Sequence, residues 1–162
     1  MFSLYFEAAN FFLIGLPECI ILTILTLILL KQNIKNKAML ITLIGFIMAL
    51  VVLIFRSANL NIGLHTTFAV LTLALLTSHF FKTSKLQSLV ASIICMISLF
   101  LAEFLIFVFY KYLFVINVNN PVNINYSWVI YNWLHIMLLA LLALLIKKSN
   151  WYQQSTFFST QA

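Results

Sequence analysis

Residues 38–55 read AMLITLIGFIMALVVLIF, with no charged side chain and no proline. A helix needs about 20 apolar residues to cross the ~30 Å hydrocarbon core of a bilayer, and this run is close to that length. It is continuously apolar, without the polar-in, apolar-out alternation of a membrane β-barrel strand. Its neighbours have the same character. The sequence predicts five helical spans: Phe11–Leu30, Ala38–Phe55, Ile62–Phe81, Leu86–Phe114 and Ser127–Ile146. The fourth is long for a perpendicular crossing, so it is expected to tilt or protrude. The expected architecture is all-α, a polytopic membrane bundle of five transmembrane helices. Residues 1–148 form one membrane domain and residues 149–162 a short tail.

Composition supports the same class. The chain has 162 residues, of which 64% are hydrophobic and 7% charged, and its mean hydropathy is +1.11. A soluble domain carries roughly 25% charged residues, so this chain has too few to cover a water-facing surface. The net charge of +6 does not point to nucleic acid, because the basic residues flank apolar runs. Lys31, Lys35 and Lys37 lie between spans one and two, Lys82 and Lys85 between three and four, and Lys147 and Lys148 after span five. The other side holds only Arg56 and Lys111. Basic loops face the cytoplasm, which places the N-terminus outside and the C-terminus inside a cell membrane. The Asn-rich loop Asn117–Tyr126 then lies outside. Cys19 and Cys95, both within apolar runs, have no disulfide or metal-site spacing. The first apolar run has no basic leader and no small-residue cleavage signal, so no cleaved signal peptide is expected.

Five ionisable residues, Glu18, Arg56, His65, Glu103 and His135, fall within or at the ends of spans, all in the outer half. Ionisable groups in lipid are costly, face the bundle interior and mark functional sites. Glu18 follows Pro17, and the pair suits the first turn of a helix. An interruption there, with a further helical piece starting near Leu4, is expected. Arg56 closes span two as a possible counter-ion for Glu18 or Glu103. His65, Ala69, Thr72, Leu76 and His79 share one predicted face of span three. Ala91, Cys95, Ser98 and Ala102 form a small-residue stripe that permits close helix contact, and Glu103 borders it. Asn132 and His135 share a face of span five with Trp128. These six residues (Glu18, Arg56, His65, Glu103, Asn132 and His135) are the candidate pocket. No protease motif, phosphate-binding loop or other catalytic motif is present. No catalytic residue, metal or cofactor is expected.

The order of these features resembles the membrane sensor region of Firmicute histidine kinases with GHKL-type ATPase domains, broadly like receptors of peptide quorum-sensing systems. The resemblance rests on Leu16-Pro17-Glu18, Phe55-Arg56, Ile62-Gly63-Leu64-His65-Thr66, Leu101-Ala102-Glu103 and Trp133-Leu134-His135. It covers most of Gly15 to Lys148. The resemblance does not extend to a phosphoacceptor helix or ATP-binding domain within residues 149–162, so a sensor module without its own output is expected, either a stand-alone protein or a piece of a longer one. The resemblance implies a bacterial sensor that binds a small ligand or peptide and signals through a partner such as a histidine kinase. Two other readings fit the residues: a small proton-coupled transporter or transporter subunit using Glu18 or Glu103, and a structural or accessory membrane subunit.

Overall fold

In the computed structural model, residues 10–57, 62–113 and 124–149 are described, and all their regular structure is helical. A five-residue π-helical turn, Phe11–Gly15, leads into α1 (Leu16–Leu29), followed by α2 (Ala38–Ser57), α3 (Ile62–Phe81), α4 (Lys85–Leu113) and α5 (Ile124–Lys148). Three segments, Phe11–Leu29, Ala38–Phe55 and Lys85–Phe109, are long and apolar enough to cross a membrane. Of the loop expected at Asn117–Tyr126, residues 117–123 lie outside the described residues, while Ile124–Tyr126 are helical and open α5, a correction to its far bound; the tail beyond Ser149 also lies outside the described residues.

The π turn has a local cause. Pro17 has no N–H to give to the carbonyl four residues back, and its ring crowds that carbonyl. The turn ahead of it widens, and the Leu16 N–H donates to Phe11 O. Gly15 itself keeps right-handed helical angles, φ −61° and ψ −43°. The interruption expected at Pro17 is therefore a widened turn in a continuous helix, and the piece expected from Leu4 lies outside the described residues.

The other ends are set by short-range chemistry. Lys31 adopts φ 55°, its N–H donates to Ile28 O, and the Gln32 N–H donates to Leu27 O at 2.9 Å. This double bond pattern is a Schellman cap that ends α1. Lys82 does the same turning work after α3, with φ 54°. Ser84 Oγ then accepts the Gln87 N–H at 3.2 Å and caps α4.

α1 is the axis of the bundle. It packs against each of the other four helices, while α2, α3, α4 and α5 touch one another in chain order around it. No residue of α1 is exposed. The approach of α2 is close: a Cβ on Gly45 would stand 2.7 Å from Ile20 Cγ1 and 3.0 Å from Ile20 Cα. From α4, Cys95 Sγ donates to Leu22 O at 3.3 Å. Buried Thr23, Thr26 and Thr77 satisfy their hydroxyls on carbonyls within their own helices, so no polar partner is needed across the interface.

The outer surface is apolar. Ile93, Ile97, Leu101, Phe104 and Leu105 of α4 and Met137, Leu141, Leu144 and Leu145 of α5 are exposed. Such a face suits lipid and would be unfavourable in water. On α3 the buried stripe is Ala69, Leu73, Thr77 and Phe81, which corrects the face expected from Ala69, Thr72, Leu76 and His79. Thr72 and Leu76 are half-buried and His79 is exposed. The four-residue spacing of the observed stripe places it where α3 meets both α2 and α4. The α4 stripe lies close to expectation, with Ala91, Cys95 and Ala102 buried and with Ser92 and Leu99 buried beside them.

The basic linkers share one end of the bundle. Lys37, just before α2, places its ammonium 4.7 Å from the ring centre of Phe81, at the end of α3. This is the end opposite Glu18, which lies in the first turn of α1.

A candidate site in one half of the bundle

Three helices bring ionisable side chains to one point. Glu18 stands in the first turn of α1, directly after Pro17. Because the helix runs on through the π turn, Glu18 lies inside a continuous helix and not at a free N-terminal end. Glu103 lies on α4, half-buried and next to the fully buried Ala102. His135 heads the buried stripe His135, Leu139 and Ala143 of α5. One ligand atom from each of the three lies within 4.8 Å of the other two. His135 Nε2 is 3.7 Å from Glu18 Oε2, with the His135 side chain 1% and the Glu18 side chain 18% exposed.

Backbone geometry accounts for the convergence. Two contacts orient α1 and α4: Glu18 lies near Glu103, and Leu22, one turn further along α1, meets Cys95, which precedes Glu103. The two helices therefore run antiparallel. Glu103 lies about three turns before the end of α4 and His135 about three turns after the start of α5, which sets them at one height.

The imidazole of His135 is unusual in its surroundings. Neither Nδ1 nor Nε2 has a hydrogen-bond partner, and with Ser92 Oγ they are the buried side-chain polar atoms lacking one among the described residues. A buried polar group left without a partner costs about 1–3 kcal/mol. The 3.7 Å separation from Glu18 is too long for a hydrogen bond.

Glu18 and Glu103 also face a cavity of about 310 Å³ between α1, α2, α3 and α4. Its walls are mainly apolar, with Leu22, Met48, Val52, Leu99 and Phe100, and Thr66 adds a hydroxyl. The pocket thus has a greasy body and an acidic end, with His135 behind the carboxylates. A small, largely apolar cleft with a few convergent polar groups is the usual form of a ligand site.

Of the six sequence-level candidates, Glu18, Glu103 and His135 come together. Asn132 lies on α5 about one turn before His135 and is half-buried. Arg56 and His65 fall within α2 and α3, but their side chains lie outside the described residues, as does Trp128. Thr66, Met48 and Ala49 line the cavity without having been singled out as site residues. Only the packing of α2 and α3 around α1 reveals them, since nothing distinguishes a pocket-lining Met or Ala from a core one in sequence.

Compared with protein-family models, with curated proteins and with solved structures, the chain matches none.

Proposed function

We propose that this chain is a five-span, receptor-like protein of a bacterial cell membrane, with its N-terminus outside and its C-terminus in the cytoplasm. Its pocket takes a small ligand from the outer side. The occupied state is passed to a partner, such as a histidine kinase, at the basic, cytoplasmic end. One observation carries the reading: Glu18 and Glu103, from different helices, face the same 310 Å³ cavity. Carboxylates within membrane-spanning segments are rare, face the bundle interior and mark functional sites. The architecture supports one mode of transmission. Glu18 belongs to α1, which touches all four other helices, and a π turn of the kind found at functional sites adjoins it. A ligand that engages Glu18 shifts the helix on which the rest of the bundle rests.

The same acidic end of the cavity favours one second reading, a transporter that exchanges protons for a hydrophobic cation. Proteoliposomes separate the two. Under a proton gradient, a receptor binds tetraphenylphosphonium without moving it. Flux that disappears in Glu103→Gln would replace the receptor by a transporter. For the receptor itself, in-membrane cross-linking should capture a kinase whose autophosphorylation changes when Ala49→Phe fills the cavity. A kinase that ignores this substitution, or the capture of no kinase at all, would sink the reading.

A further inference from the structure

We infer that Glu18, Glu103 and His135 form a binding site for one divalent transition-metal ion, of the zinc or manganese type. This inference rests on the pocket of the receptor reading and names what binds at its acidic end. The donors come from three helices, and their ligand atoms already lie within 4.8 Å of one another. Donors at about 2.1 Å from a tetrahedral ion stand about 3.4 Å apart. His135 Nε2 and Glu18 Oε2, at 3.7 Å, are near that spacing, and small side-chain rotations close the remainder.

The independent observation is His135. It is 1% exposed, and both ring nitrogens lack a hydrogen-bond partner, yet the ring directs Nε2 at a carboxylate. A buried imidazole without hydrogen bonds is poorly explained as a packing group, whereas a ring nitrogen that has no hydrogen-bond partner and faces a carboxylate is placed as a metal ligand would be. Imidazole with two carboxylates suits zinc, manganese or iron. Calcium would need six to eight oxygens, more than these residues supply. Three protein donors leave a coordination position open toward the cavity, where water or a pocket ligand completes the set.

The test uses the full, untagged chain in detergent, stripped with EDTA and titrated with Co²⁺ and Zn²⁺. The expected result is one ion per chain, with Co²⁺ giving visible d–d absorption that Zn²⁺ displaces. X-ray absorption of the Zn²⁺ form should show one imidazole nitrogen with oxygen donors. The Glu103→Gln/His135→Gln double variant, checked for unchanged helix content, should bind more than about a hundredfold more weakly, since loss of outer-shell partners alone costs 10–100-fold. His79→Gln, at the far end of α3, should bind as the wild type does. No bound ion, binding kept by the double variant, binding lost in His79→Gln, or a donor set without imidazole would each overturn the inference. Because the titration contains no partner protein, a failed kinase response leaves it standing, and a failed titration leaves the receptor reading to its own experiment.

Discussion

His135 concentrates the chemistry of this protein into one ring. Its neighbours along the buried face of α5 are Leu139 and Ala143, so an apolar side chain at 135 would complete an ordinary packing stripe. The imidazole instead leaves two nitrogens without hydrogen bonds at a cost of about 1–3 kcal/mol. A buried ring that makes no hydrogen bond has none to lose, and an apolar side chain of similar size in its place removes the desolvation cost. His135→Phe should therefore unfold in detergent within about 3 °C of the wild type while losing the site's ligand. A fall well beyond that would show that the ring holds the bundle together and is not kept for binding. A second residue-scale prediction concerns Lys31. It occupies a left-handed position with φ 55°, where a side chain is strained and glycine is not. Lys31→Gly should raise stability by about 0.5–1 kcal/mol, read from denaturant unfolding.

At the scale of elements, the contact between α1 and α2 is the tightest constraint. Gly45 faces Ile20, and a methyl group there meets backbone at 3.0 and 3.1 Å as well as the Ile20 side chain. Helix backbones cannot yield as a flexible side chain can, so Gly45→Ala should separate the pair and cost about 1–3 kcal/mol. An unfolding midpoint equal to the wild type would show that α2 approaches less closely. Because Met48 and Ala49 on α2 also line the cavity, the same variant should weaken ligand binding. The turn before α1 shows how an element boundary is decided. Pro17 removes one donor, and the chain answers with a wider turn, with Leu16 N–H reaching Phe11 O, and the helix is not broken. The proline was legible in sequence as a disturbance. Whether it breaks, kinks or widens the helix depends on what packs around it, here α2 and α5 as well as α1.

The whole molecule has a polarity that can be read from outside. Lys37 beside Phe81 puts the first two basic linkers at one end, and the Glu18, Glu103 and His135 site lies toward the other. Basic loops stay in the cytoplasm, so a membrane-impermeant maleimide applied to intact cells should label Asn119→Cys and spare Lys35→Cys. The native thiols, Cys19 and Cys95, are buried and should stay unlabelled. Labelling of Lys35→Cys in intact cells would reverse the orientation and place the pocket on the cytoplasmic side.

Hydropathy alone marked the described residues as helical and located their helices. With the π turn Phe11–Gly15 counted with α1, the five apolar segments and the five described helices agree to within about three residues, because a long apolar segment has few side chains to satisfy its backbone and bonds internally. Sequence also marked Glu18, Glu103 and His135 as costly residues at one depth. It could not say which would meet. That depends on the rotation of each helix about its axis, and the buried face of α3, turned from Thr72 and Leu76 to Leu73 and Thr77, shows how weakly an apolar helix encodes it. When nearly every side chain is apolar, the periodic contrast that reveals an inward face in a soluble helix is missing. Tertiary packing made the choice, through the bare Cα of Gly45 against Ile20 and the Cys95 thiol on Leu22. Those contacts fix α1 at the centre, and only then do two carboxylates and an imidazole from three distant segments share one site.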